Sequence, residues 1–243
     1  MSAALEIRDL RRQFGGLRAV DDLSFDVRAG ELVGLIGPNG SGKTTTMNLI
    51  SGALKPTSGR IALDGQPISG LPPHKIARLG ISRTFQLVRV LPMLDAERNV
   101  AAGAIFGLRD AWGQEAVALA RELLARVGLT HRAGVPVSAM TYIDQKRIEL
   151  ARALAADPKV LLLDEWHAGL NPTELRIRIE LIEGLAAEGH TIVMVEHVMD
   201  AIRALCSRCV VMSSGRKIAE GGVDEVLSDA DVVWAFLGDE EDA

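Results

Sequence analysis

A glycine-rich octapeptide, Gly37-Pro-Asn-Gly-Ser-Gly-Lys-Thr44, constrains the fold of this 243-residue chain more than any other feature. It matches the pattern G-x-x-x-x-G-K-[S/T] in full, between an apolar run ending at Ile36 and a helical pattern opening at Thr45. A strand, a glycine-rich loop and a helix in this order cradle phosphate groups. Glycines adopt the unusual backbone angles and leave room for backbone N–H donors. The pattern therefore predicts a nucleotide-binding α/β fold.

The chemistry of the loop assigns roles to its residues. Lys43 supplies a mobile cation for the β- and γ-phosphates, and the Thr44 hydroxyl is available to Mg²⁺. The N-terminus of the following helix adds partial positive charge. The alternative is a glycine-rich turn that binds nothing, and the complete motif in its expected context argues against it. The predicted ATP-binding residues are Gly37, Pro38, Asn39, Gly40, Ser41, Gly42, Lys43, Thr44 and Thr45.

The rest of the chain predicts a mainly parallel sheet with helices on it. Short apolar runs at 31–36, 159–163 and 191–195 are each followed by polar residues and then a helical pattern. Residues 4–28 and 58–68 predict an antiparallel β layer near the N-terminus. Between 72 and 128 the strand signal disappears, which indicates a helical insertion. Helices are predicted at about 73–79, 94–103, 114–127, 142–156 and 173–188.

Polar side chains follow two of the apolar runs. Asp164 fits an acceptor in the second shell of a magnesium ion, and Glu165 fits a group that orients and polarises an attacking water. Both carboxylates are also compatible with an acidic helix cap. His197 follows the run 191–195, at a strand end where open α/β sheets bind ligands. It is placed to hydrogen-bond a γ-phosphate oxygen, although a lone histidine is usually structural or merely exposed.

Composition excludes several classes of function. The net charge of −5 and the 4% of aromatic residues argue against a nucleic-acid-binding surface. No apolar stretch approaches the roughly 18 residues that a transmembrane helix needs, and the start of the chain lacks a signal-type apolar run, so we expect a cytosolic chain. Cys206 and Cys209 are too few for a structural zinc site, and we expect two thiols at a helix end and a strand start.

In their order along the chain, these segments resemble the ATP-binding cassette (ABC) ATPases, which have a P-loop NTPase core. The resemblance covers about residues 5–238 as one domain, 1–243, with 87–157 as its helical subdomain. It implies ATP and Mg²⁺ as cofactors. It also implies that Phe14 stacks on adenine, although Phe14 alone would more often be a core residue. The implied metal residues are Thr44, Gln86 and Asp164, and the implied catalytic residues are Glu165 and His197.

Several stretches narrow the resemblance to the ATPase of branched-chain amino acid importers. They are Arg83–Gln86, Ala168–Pro172, Val195–Met199, Lys217–Gly221 and Ala235–Gly238. The resemblance implies an ATP-hydrolysing subunit that powers uptake of such amino acids or related small solutes. It further implies a peripheral position on the cytoplasmic face of the inner (plasma) membrane. The implied partners are integral membrane permease subunits, a second ATPase subunit and, indirectly, a solute-binding protein, with no nucleic acid.

Two departures from the family pattern bear on activity. The signature segment, normally Leu-Ser-Gly-Gly-Gln or a Ser-Tyr-Gly-Gln-like variant, is here Met140-Thr-Tyr-Ile-Asp144. A β-branched Ile143 and a carboxylate at Asp144 are unfavourable where one subunit closes over ATP held by the other. We therefore predict a heterodimer in which a different ATPase subunit completes this chain's site. The alternative is that a shifted backbone accommodates Ile143, with Thr141 and Tyr142 supplying the contacts. Trp166 replaces a proline and is expected to reshape the turn toward His167 and Asn171.

Three alternatives remain open at this point. An exporter ATPase would look similar in the phosphate loop and at His197. A regulatory module that binds nucleotide without hydrolysis would explain the altered signature, although Lys43, Asp164 and Glu165 argue against it. A non-transport ABC protein in DNA repair or translation would usually carry coiled-coil insertions or tandem cassettes, and this chain has one phosphate loop. The solute is not readable from the sequence, because the membrane and binding subunits select it.

Overall fold

The computed structural model describes residues 3–166 and 170–237. The chain divides into two compact units, one made of residues 1–72 and 167–243 and the other of residues 73–166. No helix in the described ranges is long and apolar enough to cross a membrane. The prediction of a helical subdomain over 87–157 stays a prediction.

The secondary structure alternates between strands and helices after an N-terminal β region. The strands are β1 Ala3–Phe14, β2 Leu17–Arg28, β3 Leu32–Ile36, β4 Ser58–Leu63, β5 Gln66–Pro67, β6 Ile81–Arg83, β7 Val160–Asp164, β8 Thr191–Val195, β9 Arg208–Ser213 and β10 Arg216–Gly222. The helices are α1 Lys43–Ile50, α2 Pro73–Leu79, α3 Ala96–Phe106, α4 Gly113–Arg126, α5 Tyr142–Ala155, α6 Pro172–Ala187, α7 Met199–Leu205, α8 Val223–Leu227 and α9 Ala230–Leu237.

The first unit contains the predicted antiparallel layer, with strand order β2-β1-β4-β5. Leu5 pairs with Leu63, and Ile7 pairs with both Phe25 and Ile61. These side chains are buried, and along β1 and β2 such residues alternate with more exposed ones, as a sheet with one solvated face requires. The prediction of an N-terminal antiparallel layer is confirmed.

The first unit also carries the strand that leads into the glycine-rich loop. Strand β3 pairs in parallel with β8 on one side and with β9 on the other, and β10 runs antiparallel to β9. All residues of β3 and β8 are buried, which accounts for their continuous apolar runs. The loop at 37–42 leaves the carboxyl end of β3 and opens α1, so the predicted strand, loop and helix are confirmed.

Two buried thiols lie behind β3. As predicted, Cys206 directly follows α7 and Cys209 lies at the start of β9. Both thiols are free and buried. A Cβ atom on Gly34 would lie 2.8 Å from the Cys209 sulfur, so only glycine fits opposite these thiols. The hydrogen bond with Cys209 and burial raise the pKa of the Cys206 thiol.

The second unit combines a pair of parallel strands with packed helices. Strand β6 pairs with β7, with Ile81 opposite Val160. The prediction that no strand lies between 72 and 128 is therefore wrong. The strand was missed because three residues are too few to show the alternation of a strand. Helices α3, α4 and α5 pack against one another. A Cβ atom on Gly103 would lie 2.1 Å from the Arg152 carbonyl oxygen, so this glycine permits the close approach of α3 and α5.

Candidate nucleotide-binding site

Two backbone carbonyl groups of the first unit lie so close to the glycine-rich loop that they leave no room for side chains at two of its glycines. Gly37 has φ 145°, and a Cβ atom there would lie 2.0 Å from the Met212 carbonyl oxygen. Gly42 has φ 103°, and its Cβ would lie 2.4 Å from the Ala19 carbonyl oxygen. Both φ values lie in the region that favours glycine. Glycine is therefore required at both positions for steric and for conformational reasons.

Lys43 holds the loop in a defined shape. Its side chain is buried, and Nζ donates hydrogen bonds of 2.7 Å to the carbonyl oxygens of Gly37 and Pro38. The Gly215 N–H donates to the Ser41 carbonyl at 3.0 Å and anchors the loop from the other side. The cation therefore stands beside the loop backbone, within reach of a phosphate group bound there.

The predicted ATP-binding residues of the loop differ in solvent exposure. Asn39, Gly40 and Thr44 are exposed, so they form the open side of the loop, whereas Ser41 is buried. Helix α1 begins after Gly42 without a side-chain cap, which leaves its first N–H groups available to an anion. The exposed Thr44 hydroxyl is correspondingly free for a metal ion or water.

In the second unit, Asp164 ends β7 as predicted. Arg83 Nη2 donates to Asp164 Oδ2 at 2.6 Å, and only 5% and 2% of the two side chains are exposed. Asp164 Oδ1 is buried and has no hydrogen-bond partner among the described residues. A carboxylate oxygen with this open acceptor capacity suits the water shell of Mg²⁺, so the chemistry of Asp164 fits the ion.

No group of three His, Cys, Asp or Glu side chains in the described part of the chain is arranged to hold a metal. Mg²⁺ commonly keeps several waters and takes one or two protein ligands plus substrate phosphates. The absence of a cluster of three ligands among the described residues is therefore compatible with this ion.

The structure brings Gln86 and Glu165 together. Gln86 Nε2 donates to Glu165 Oε2 at 2.6 Å, and Gln86 is exposed. Glu165 has φ 48°, a left-handed conformation that is uncommon outside glycine. The Glu165 carboxylate, one residue after β7, is thus held by the Gln86 amide.

Phe14 and His197 both belong to the first unit. Phe14 ends β1, and 42% of its surface is exposed, so it is not a core residue. The Arg12 guanidinium lies 4.4 Å from the centre of its ring, which leaves the opposite face of Phe14 for another ring. His197 follows β8 and is exposed to solvent. The structure therefore places both side chains where a ligand can reach them.

The altered signature segment begins α5. Thr141 caps the helix by accepting the Asp144 N–H at 3.2 Å. The Asp144 carboxylate lies 3.5 Å from Arg132 and 3.6 Å from Arg147. Two ion pairs thus partly offset its charge, which weakens the electrostatic objection to this residue. The steric objection at Ile143 is unaffected.

Trp166 is fully buried, so its bulk is accommodated inside the protein. Its expected effect on His167 lies outside the described residues, as do Ala168, Gly169 and Gly238 of the family-like stretches. Asn171 caps α6 in a reciprocal capping box with Glu174, which is a sufficient structural reason for this residue.

Comparison with known sequences decides the family. The sequence model of the ABC transporter family matches residues 20–168, which is more than half of the chain. The chain belongs to the ABC transporter family. The predicted P-loop NTPase core is thereby confirmed, and the protein is an ATPase subunit whose ATP hydrolysis powers transport.

Named ABC transporter proteins resemble the chain over nearly its whole length. The high-affinity branched-chain amino acid transport ATP-binding protein LivG of Salmonella typhimurium is 38% identical, covering 97% of this chain and 98% of LivG. The corresponding protein BraF of Pseudomonas aeruginosa is 36% identical over the same shares. The Nod factor export ATP-binding protein I of Burkholderia lata is 38% identical, covering 90% of this chain and 71% of that protein.

Solved ABC structures share the fold. The ADP conformation of an ATP-binding cassette of an ABC transporter superposes with a TM-score of 0.88 at 30% identity, covering 98% of this chain and all of the other. A nucleotide-free ATP-binding cassette gives 0.85 at 30% identity, covering 96% of this chain and 98% of the other. The predicted fold class is confirmed, and the ABC family is one that binds nucleotide.

Arg83, which fixes one oxygen of Asp164, had no predicted role of its own. The available signal was a charged residue within a short run otherwise suited to burial, Ile81-Ser-Arg83. Residues of α5 that contact the Gln86 segment were also missed, since their partners lie about 60 residues away.

Proposed function

We propose that this ABC subunit binds MgATP at residues 37–45 and hydrolyses it to drive uptake of branched-chain amino acids or related small solutes. The observation that carries the nucleotide assignment is the glycine-rich loop with the buried Lys43 ammonium beside its carbonyls. The names of the 36–38% identical LivG and BraF relatives support the solute class.

Each site residue has a role that its chemistry permits. Lys43 and the loop N–H groups neutralise and orient the phosphates, and the exposed ring of Phe14 stacks on adenine. Thr44, Gln86 and Asp164 would hold Mg²⁺, directly or through water, and the ion would offset charge on the phosphates.

The hydrolytic step falls to two further side chains. Glu165 orients a water and accepts its proton as the water attacks the terminal phosphorus, whose bond to the bridging oxygen breaks so that ADP leaves. His197 hydrogen-bonds a terminal phosphate oxygen and steadies the charge that develops there.

Binding and chemistry are separable by two substitutions. Lys43→Ala removes the cation and should weaken MgATP binding at least about 10-fold, since hydrogen bonds to charged groups contribute roughly 1.5–3 kcal/mol. Glu165→Gln keeps the shape without the carboxylate, so binding should persist while turnover falls about 100-fold or more. Calorimetric Kd and ATPase rate in the assembled transporter measure both. A Lys43→Ala variant that binds MgATP like the parent contradicts the assignment of the loop.

We further propose that the subunit works as a heterodimer with a different ATPase subunit on two membrane permeases. It would lie peripherally on the cytoplasmic face of the inner membrane, and a solute-binding protein would deliver the solute. The support is steric. In a homodimer, Ile143 would stand at both composite sites, whereas a partner with an intact signature would complete the loop of this chain. With that partner, one site hydrolyses ATP and the other mainly holds it.

The heterodimer is tested by restoring glycine. Ile143→Gly should raise the ATPase rate of the chain purified alone, and leave the rate of its complex with a second ATPase subunit less changed. A chain that hydrolyses ATP rapidly alone, and whose rate is unaffected by Ile143→Gly, contradicts the proposal.

Export is the second candidate, and the 38% identity to the Nod factor export protein favours it. Reconstituted vesicles distinguish the two directions. Labelled branched-chain amino acid should accumulate on the side where ATP is hydrolysed, and this should require the solute-binding protein on the other side. ATP-driven movement of solute away from the ATPase side identifies an exporter instead.

A further inference from the structure

One face of α5 is directed at a segment that has no regular structure of its own. The segment 84–89 follows β6 and carries Gln86. Steps of four, three and three residues along α5 place four polar side chains on a common face. They are Tyr142, Lys146, Glu149 and Arg152.

The first two of these side chains hold carbonyl groups. Tyr142 Oη donates to the Gln86 carbonyl at 2.9 Å, and Lys146 Nζ donates to the Phe85 carbonyl at 2.8 Å. Arg152 Nη2 donates to the Arg89 carbonyl. The carbonyls of three residues in the segment are thus each bound by a different side chain of one helix.

Glu149 holds the N–H groups of the same segment. Its two carboxylate oxygens accept the Phe85 N–H at 3.1 Å and the Arg89 N–H at 2.8 Å. The Glu149 side chain is fully buried, and burial raises the pKa of its carboxyl against the effect of these two hydrogen bonds and of the nearby Arg152 and Lys146. A carboxylate that bridges two N–H groups fixes their separation and direction.

The contacts between α5 and the segment 84–89 lead to the Glu165 carboxylate through Gln86. The Thr84 N–H continues the β6–β7 ladder by donating to the Leu162 carbonyl at 2.9 Å. Beyond Thr84, the contacts with α5 bind the backbone groups on either side of the Gln86 side chain. Gln86 in turn donates to Glu165 at 2.6 Å. We propose that the Tyr142–Arg152 face of α5 is a positioning clamp that sets the Gln86 amide on the Glu165 carboxylate. Tyr142, within the signature segment, is thereby linked to the catalytic carboxylate of its own chain. The inference rests on the proposed role of Glu165 as the base.

Two substitutions loosen the clamp and leave the Gln86 and Glu165 side chains unchanged. Tyr142→Phe removes one hydroxyl from a side chain that is 51% exposed, so the fold tolerates it. Glu149→Gln keeps the size but turns one acceptor oxygen into an amide donor that faces a backbone N–H. Trp112→Phe is the matched control, because it removes an exposed aromatic's hydrogen bond to Asp110 elsewhere in the same unit.

In the assembled transporter, we expect kcat for ATP to fall about 3-fold for Tyr142→Phe and about 10-fold for Glu149→Gln. The Kd for MgATP should change less than about 2-fold, and Trp112→Phe should match the parent. A double variant separates positioning from general damage. If the clamp acts through Gln86, Tyr142→Phe should have no further effect on kcat in a Gln86→Ala background.

The outcomes separate this inference from the proposed function. Glu165→Gln that retains turnover overturns the assignment of the base, whatever the clamp variants do. Glu165→Gln that is inactive, together with parental kcat in Tyr142→Phe, overturns the clamp alone. If Tyr142→Phe lowers kcat by the same factor in the parent and in the Gln86→Ala background, the clamp is also overturned. Tyr142→Phe decides the matter should Glu149→Gln fail to fold.

Discussion

The buried ion pair between Arg83 and Asp164 leads to a quantitative prediction. Arg83→Met keeps an unbranched side chain of similar length but removes the charge, which leaves the Asp164 carboxylate buried without its cation. Because only 5% and 2% of the two side chains are exposed, solvent cannot replace the lost partner. Breaking a buried pair in this way costs about 3–5 kcal/mol of unfolding free energy.

A surface pair provides the matched control. Arg176 lies 3.7 Å from Glu180 on α6, with 78% and 63% of the side chains exposed. Arg176→Met should cost at most about 0.5 kcal/mol, as exposed i,i+4 pairs do. For a chain of this size, the difference corresponds to a melting temperature lower by roughly 5 °C or more for Arg83→Met.

Urea unfolding followed by tryptophan fluorescence measures both variants. Trp166 is fully buried, whereas Trp112 and Trp234 are 62% and 77% exposed, so the signal reports mainly the region next to Asp164. Adding Asp164→Leu to Arg83→Met should recover much of the loss, because no buried charge then remains. An Arg83→Met variant within about 0.5 kcal/mol of the parent refutes the reasoning.

Two further predictions concern the first unit. Gly42→Ala places a Cβ 2.4 Å from the Ala19 carbonyl oxygen and should abolish MgATP binding, measured by calorimetry. Gly65→Ala at φ 76° meets nothing within 4 Å and should only cost about 1–2 kcal/mol of stability. The hydrogen bond from Arg216 lowers the pKa of Asp21 against the effect of burial, so this pair stabilises the fold above the usual carboxyl pKa and loses that effect as pH falls. Asp21→Asn should therefore flatten the fall of melting temperature between about pH 5 and pH 2, and an unchanged slope contradicts it.

The parts of the fold that sequence predicts are those with local causes. The loop at 37–44 carries its own backbone requirements, and α5 begins one residue after Thr141, which caps it. The prediction of a helix over 94–103 is displaced, since Asp95 caps α3 and the helix ends only at Phe106. A residue type that can cap a helix is recognisable in the sequence, but several neighbouring polar residues could take the capping position.

The parts that sequence could not predict depend on distant residues. Asp164 was assigned as a metal residue from its place after a strand, yet its partner Arg83 is 81 residues earlier in the chain. The same holds for Glu149, which reads as an ordinary polar residue of an exposed helix and is instead buried under the Gln86 segment. Neither the periodicity nor the composition of a sequence predicts which distant side chain will contact a buried carboxylate.

The left-handed backbone of Glu165 sets stability against activity at a single position. A non-glycine residue in this conformation is strained by roughly 1–2 kcal/mol, which glycine would relieve. Glu165→Gly should thus give a chain that withstands heat at least as well as the parent and turns over no ATP. Directed evolution for thermostability alone would drift toward this inactive chain, so any such selection needs a transport requirement applied in parallel.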